Sequence, residues 1–324
     1  MSDHDHISVV RACWNSASHA ESDDYALLAE VYGAYAARSQ IGLPTLVVPL
    51  TVGDVPTVGR RASGCELLGH SSIRFVYEGR EWTGPAAALV CTDADLVDVF
   101  AVLATDVAGR VRDGATWAAL VTAVEEWQTL LTPRGKPSPE AELGLWGELW
   151  FLAQSSDSGR LLTAWRGPEG DATDFFIDGK AAEVKTSRSC RQHYVSQSQV
   201  GSPAGDNEAW MVSIWVKADP GADTVPALVD RLLARAPERA EALKCLARSG
   251  YSPSDRHNYN SGFAVLSEPE WYAASEVPRV RAADPGVSHL RYRISLDETR
   301  RADKKMASRL WRHFHGHEYG VIER

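Results

Sequence analysis

Within residues 171–187, DATDFFIDGKAAEVKTS, three ionisable side chains have types and spacing suited to work on a phosphate. Two short apolar runs flank Asp178-Gly179, a dipeptide fit for a two-residue type I′ hairpin turn. With that loop, Ile177 pairs with Lys180, and counting outward sets Asp174 opposite Glu183. Directly opposed residues on antiparallel strands hold their Cβ atoms roughly 5 Å apart on one face. Period-2 alternation returns Lys185 to the face of Glu183. Two carboxylates and one ammonium therefore gather on one side of a hairpin. Facing carboxylates repel, and a divalent cation converts that repulsion into a ligand set, because magnesium favours carboxylate oxygens and keeps several waters. Such a set can activate a water and neutralise phosphate charge. Phosphodiester hydrolysis is the chemistry these residues suit.

The elements that would carry them follow from punctuation and periodicity. TPRGKPSP at 132–139 is the clearest break in the chain and sets a boundary between a module at 1–137 and a domain at 138–324. Ser138 and Pro139 suit the N-cap and first position of a helix reaching about Gln154. That helix is apolar almost all round, so Glu148 in its middle needs a partner. Gly144 and Gly147 weaken it, which implies close packing there. After the hairpin, 193–196 reads as a strand leading to Gln197 and Gln199, and 209–216 as a buried strand. Residues 224–248 read as one long amphipathic helix, and 263–266 and 290–296 as further strands. In the tail, Arg301, Lys305 and Arg309 form a basic stripe if 299–312 is helical.

The front module reads as a helix over 20–38, strands over 45–50, 65–68, 73–77 and 86–91, and helices from Asp93 to about Val111 and over 115–131. Trp82, Trp117 and Trp127 suit core positions. The expectation is an α/β (α+β) protein: a β-rich N-terminal module, then a mixed sheet flanked by helices.

The totals bound the class. The chain has 324 residues, 44% hydrophobic and 24% charged, which suits one large or two ordinary soluble domains. No apolar run approaches the roughly 20 residues of a membrane span. The N-terminal MSDHDHISVV is unlike a secretory signal. Five scattered cysteines without a CxxC pair suggest reduced thiols in a cytoplasmic protein. The net charge of −9 argues mildly against a lone nucleic-acid clamp. It is uneven: residues 1–137 carry 10 basic and 17 acidic side chains, and residues 279–324 carry 11 and 6. His313, His315 and His317 alternate near the end and read as solvated side chains rather than metal ligands. Asp178 reads as a turn residue, with Asp171 a rival acid.

A helical Glu148, then Asp174, then Glu183-Val184-Lys185 resembles the PD-(D/E)XK nuclease superfamily of restriction enzymes. The longer pattern GLWGELWFL, WxGP, DFF, EVKTS and HxVSxxQ is similar to one bacterial PD-(D/E)XK family long catalogued as a domain of unknown function, found among phage-defence and restriction genes. The match is densest over about residues 140–200. It implies a restriction-endonuclease-like domain and a DNA endonuclease using Mg²⁺ or Mn²⁺. Asp174 and Glu183 would bind the metal with the Val184 carbonyl, Glu148 would help hold it or its waters, and Lys185 would position the attacking water. Gln199 and Ser187, with Arg301, Lys305 and Arg309, are the candidates for contacting DNA or orienting the site. Thr173 stands where the motif has proline, a position without chemistry. The resemblance also implies a helicase-like or other defence-system partner, and a double-strand cut would call for a homodimer. The alternative is an inactive nuclease-fold subunit that binds or assembles.

Overall fold

The computed structural model describes residues 3–15, 25–51, 53–54, 56, 59–167, 173–196, 208–280 and 290–320. They belong to two compact units. One comprises Met1–Arg134, Glu238–Lys244 and Ser252–Asp255; the other comprises Gly135–Pro237, Cys245–Tyr251 and Arg256–Arg324.

The first unit begins with α1 (Asp3–Asn15) and is built on strands β1 (Tyr25–Val31), β2 (Ala34–Ser39), β3 (Pro44–Pro49), β4 (Arg60–Ala62), β5 (Cys65–Tyr77) and β6 (Arg80–Cys91). They form one antiparallel sheet in the order β1-β2-β3-β6-β5-β4. The expected helix over 20–38 is replaced by the β1–β2 hairpin. Tyr32 and Gly33 have φ of 53° and 79°, the left-handed pair of a type I′ turn, which a continuous helix excludes. The apolar residues of that window suit either period, and pairing of β2 with β3 decides between them. The strands expected at 65–68 and 73–77 are one strand, interrupted by a register shift between His70 and Ile73.

Asp93 caps a short 3-10 turn through the Asp95 N–H, and α2 (Val97–Val111) follows. Thr116 caps α3 (Trp117–Leu131). Val47, Phe75, Ala88 and Val90 are central to this unit's sheet core. Trp117 and Trp127 are buried, while Trp82 is half-buried and stacks on Phe75 at 4.9 Å.

The second unit opens with α4 (Pro139–Ala153), capped by Ser138, whose Oγ accepts the Ala141 N–H at 3.1 Å. Next come α5 (Ser158–Thr163), β7 (Phe175–Ile177), β8 (Lys180–Ser187), β9 (Gln192–Ser196) and β10 (Glu208–Ala218). Helix α6 (Val225–Arg235) and then α7 (Arg239–Arg248), whose residues 239–244 are counted with the first unit, stand where one long helix was expected. Pro237 explains the break: it lacks an N–H and disfavours helical backbone at Ala236, which is extended at φ −66°, ψ 127°. The chain continues through β11 (Phe263–Val265), β12 (Glu270–Ala273), β13 (Arg291–Ser295) and α8 (Lys304–His315).

The central sheet runs β11-β10-β8-β7, with β12 also on β10. Strand β8 is parallel to β10 and antiparallel to β7, so the sheet is mixed. A separate antiparallel ribbon joins β9 to β13. Its inner residues Val195 and Ile294 pack with Met211 and Tyr272.

Candidate active site

The hairpin forms in the register the turn chemistry demands. Asp178 and Gly179 have φ of 44° and 78°, and Ile177, Phe176 and Phe175 pair with Lys180, Ala181 and Ala182. One step further, Asp174 meets the Glu183–Val184 peptide: its Oδ2 accepts the Val184 N–H at 2.7 Å. Its backbone carbonyl takes the N–H groups of Arg166 (2.6 Å) and Gly167 (3.2 Å). Asp178 is a turn residue that pairs with Arg160 at 2.9 Å.

Glu183 lies on the inner strand β8, opposite Met211 of β10, and is only 2% exposed. Lys185 Nζ is 2.7 Å from Glu183 Oε1, as expected for side chains two residues apart on one face. Oε1 thus faces the Lys185 ammonium, while Oε2 is buried without a hydrogen-bond partner.

Helix α4 delivers the third carboxylate. Gly147 lies against Thr186, so closely that a Cβ there would overlap the threonine side chain. That contact lays α4 on β8. Gly144 meets no such neighbour and opens on the cleft, so only one of the two glycines is needed for packing. A ring cluster fixes the next turn, where Phe151 packs on Phe175 at 4.9 Å and His315 at 4.3 Å. Glu148, one turn before Phe151, then points at the hairpin and accepts the Trp165 Nε1–H at 2.8 Å. Gly167 is part of the same mould. A Cβ on it would lie 2.7 Å from Glu148 Oε2 and 3.3 Å from Asp174 Oδ1.

The electrostatics follow from three carboxylates in a dry place with one ammonium. Burial, and then the charge of Asp174, push the Glu148 carboxyl well above its usual range. Burial raises Asp174 too, against the pull of Lys185 and the Val184 N–H. Glu183 rises through burial and the neighbouring Asp174. For Lys185, burial alone would lower the pKa, but Glu183, Asp174 and Glu148 outweigh it and hold the ammonium protonated. Fully ionised, the cluster carries three negative charges against one positive. One divalent cation would balance it.

These residues fit such an ion. Glu183 offers a buried oxygen, Oε2, without a hydrogen bond, and Asp174 and Glu148 stand beside it. Among the described residues no three His, Cys, Asp or Glu side chains form a metal cage by themselves.

The cluster opens into a cleft of about 380 Å³ lined by Glu148, Asp174, Val184, Lys185 and Ser187 among others. Gln199 and Asp171 lie outside the described residues. Arg301, Lys305 and Arg309 do not line the cleft. The basic stripe is also broken, because α8 starts at Lys304 behind its Asp303 cap, and Arg301 precedes it, paired with Glu270 at 2.8 Å.

Sequence reasoning gave no role to several neighbours. His193 is buried at the cleft and shares a 2.8 Å hydrogen bond with Ser213, the β10 partner of Lys185. Burial, then Lys185, lower its pKa to about 4, so the ring is neutral. It stood in the HxVSxxQ pattern without a reason attached. Trp165 and Gly167 were equally visible in WxGP.

The alternating tail histidines are not solvated as expected. His315 is 1% exposed, with Nε2 3.0 Å from the Phe151 carbonyl and Nδ1 3.1 Å from the Trp311 carbonyl; the neutral ring has one N–H and donates to one of the two. His317 and His313 reach the Gln154 and Ile177 carbonyls at 2.6 and 3.0 Å. They tie α8 to the C-terminal end of α4 and to the hairpin.

No curated protein and no solved structure matches the chain. Residues 56–297 match the family model described as "Putative PD-(D/E)XK family member, (DUF4420)". With that match spanning most of the chain and the helical Glu148, Asp174 and Glu183-Val184-Lys185 gathered in one cluster, this protein belongs to the PD-(D/E)XK family so described.

Proposed function

We propose that this chain is a metal-dependent deoxyribonuclease that hydrolyses phosphodiester bonds in bacterial restriction or phage defence. One observation carries the reading: Glu148 and Asp174 line a cleft with Lys185, Glu183 is buried beside them with Oε1 on the Lys185 ammonium, and Glu183 Oε2 is buried without a hydrogen bond. A purely structural salt-bridge cluster would satisfy Oε2 as well, because an unsatisfied buried acceptor costs about 1–3 kcal/mol.

Mg²⁺ or Mn²⁺, held by Asp174, Glu183 and the Val184 carbonyl with Glu148 on its waters, would supply Lewis acidity and an activated water. The chain's own groups do the rest. Lys185 stays protonated and has no lone pair for a metal, so it serves as a donor that orients the attacking water and offsets charge growing on the phosphate. Trp165 and Gly167 hold the Glu148 carboxylate in place. Neutral His193 braces Ser213 beside Lys185 without adding charge.

The acidic excess over residues 1–137 disfavours non-specific hold on DNA, which supports a helicase-like or other defence-system partner. Strong cleavage by the purified chain alone at physiological salt would argue against that dependence.

The test is incubation of the purified protein with plasmid and phage DNA in Mg²⁺, Mn²⁺ or EDTA, beside calorimetric titration of each ion into wild type and Asp174→Ala. Cutting in metal but not EDTA, with metal binding lost in the variant, is the expected result. Equal metal binding by both proteins would remove the acids as the site. Metal binding without any cleavage would favour a binding or assembly subunit.

A further inference from the structure

The cleft has a second wall that the acid cluster does not use. In the β9–β13 ribbon, Tyr194 pairs directly with Arg293, and Arg291 with Ser196. Side chains alternate across a ribbon, so His193, Val195 and Ile294 turn inward while Tyr194, Arg291 and Arg293 turn outward. Tyr194 is 55% exposed, a large aromatic left in water. Arg291 lies over one face of its ring, 5.4 Å from the centroid. Tyr194 and both arginines line the same cleft as Glu148, Asp174 and Lys185, and Arg188 joins them on the loop before β9. Neither Arg291 nor Arg293 has a carboxylate partner among the described residues.

We infer that this ribbon grips a single strand of DNA, with Arg291 and Arg293 on its phosphates and the open face of Tyr194 stacked on an unpaired base next to the bond to be cut. The inference rests on the nuclease reading for its choice of polymer and goes further by naming the form of the substrate. Guanidinium groups beside carboxylates that ligate metal complement a phosphate chain, since the strand needs cations where the acids do not reach. An aromatic ring flanked by arginines is the usual means of holding bases without reading sequence. A duplex would not use it, because paired bases offer only their edges and keep their faces stacked. The occupant is therefore a single-stranded end, a flap, or a duplex opened at the cutting position.

Binding can be measured without cleavage. Fluorescence anisotropy in EDTA would follow the full chain with a labelled DNA strand of about 15 nucleotides, and with the same strand annealed to its complement. Wild type should bind the single strand more tightly than the duplex. Tyr194→Ala should weaken single-strand binding by about 5- to 100-fold, the effect of losing one base stack, and Tyr194→Phe should retain it. Arg291→Ala and Arg293→Ala should each lower the slope of log affinity against log salt by about 0.7. All these side chains face outward, so the variants should fold. Wild-type affinity in Tyr194→Ala, a duplex bound as tightly as the strand, or no binding of either would overturn the inference. A chain that cuts DNA yet ignores Tyr194 would sink this inference and leave the nuclease reading standing. Tyr194-dependent binding by a chain that never cuts would do the reverse.

Discussion

Gly167→Ala offers a sharp probe of how the acids are held, because one methyl group tests a stated geometry. The added Cβ would lie 2.7 Å from Glu148 Oε2, about 0.7 Å inside ordinary contact at 3.4 Å, with Trp165 Nε1 at 3.2 Å and Asp174 Oδ1 at 3.3 Å. The backbone tolerates alanine, since the φ of Gly167 is outside the left-handed region. Relief must come from Glu148 swinging away, which weakens its 2.8 Å hydrogen bond from Trp165. An off-rotamer side chain costs about 0.5–1.5 kcal/mol, and a hydrogen bond contributes about 0.5–1.5 kcal/mol. Stability should therefore fall by roughly 1–3 kcal/mol in urea unfolding. Displacement of the Glu148 carboxylate by about 0.7 Å should slow single-turnover cleavage by roughly 10- to 100-fold. The control is Glu148→Ala, which removes the carboxylate that the methyl group hits. In that background Gly167→Ala should have little further effect on either quantity, a strong non-additivity. Additive losses in the double variant, or wild-type behaviour in Gly167→Ala, would show that Gly167 does not shape the carboxylate's position.

Lys185→Ala should lower cleavage by at least about 100-fold while metal binding in calorimetry is nearly kept, and Lys185→Arg should not restore the rate, because a planar guanidinium does not mimic a compact ammonium. A wild-type rate in Lys185→Ala would end the E-x-K reading. The tail should make stability pH-dependent. Burial holds the His315 ring neutral with a pKa of about 3, below the unfolded value near 6.5, so between those values the unfolded chain takes up the proton. Its contribution is complete above pH 6.5 and falls as the pH drops, by about 2 kcal/mol at pH 5. Urea unfolding at pH 7 and 5 should show a smaller loss in His315→Gln, and an unchanged loss would assign it to other groups. Burial also pushes the thiols of Cys65 and Cys91 up to about 12 and 11, while Cys190 is exposed. A thiol reagent at pH 8 should label Cys190 in the native protein and reach Cys65 and Cys91 only on unfolding; rapid native labelling of Cys65 would contradict the buried sheet position.

What the sequence alone determined was local. Asp178-Gly179 fixes a two-residue turn, and a two-residue turn fixes register, so Glu183 and Lys185 fall on one face before any distant residue matters. Ser138-Pro139 sets the start of α4 in the same way, and with it the phase that turns Glu148 toward the hairpin. Where two local patterns competed, the reading failed. Residues 25–39 fit a helix or a hairpin until β3 supplies a pairing partner, and Pro237 outweighs the amphipathic pattern around it. The tertiary structure decided everything that depends on contacts far apart in the chain. Tyr194 and Arg293 meet only because β9 pairs with β13 across nearly a hundred residues. His315 becomes buried only because α8 packs against Phe151. The burial that raises the three carboxylates likewise exists only once α4, the hairpin and the Trp165–Gly167 turn have closed around them, since desolvation belongs to the packed assembly and not to any one segment.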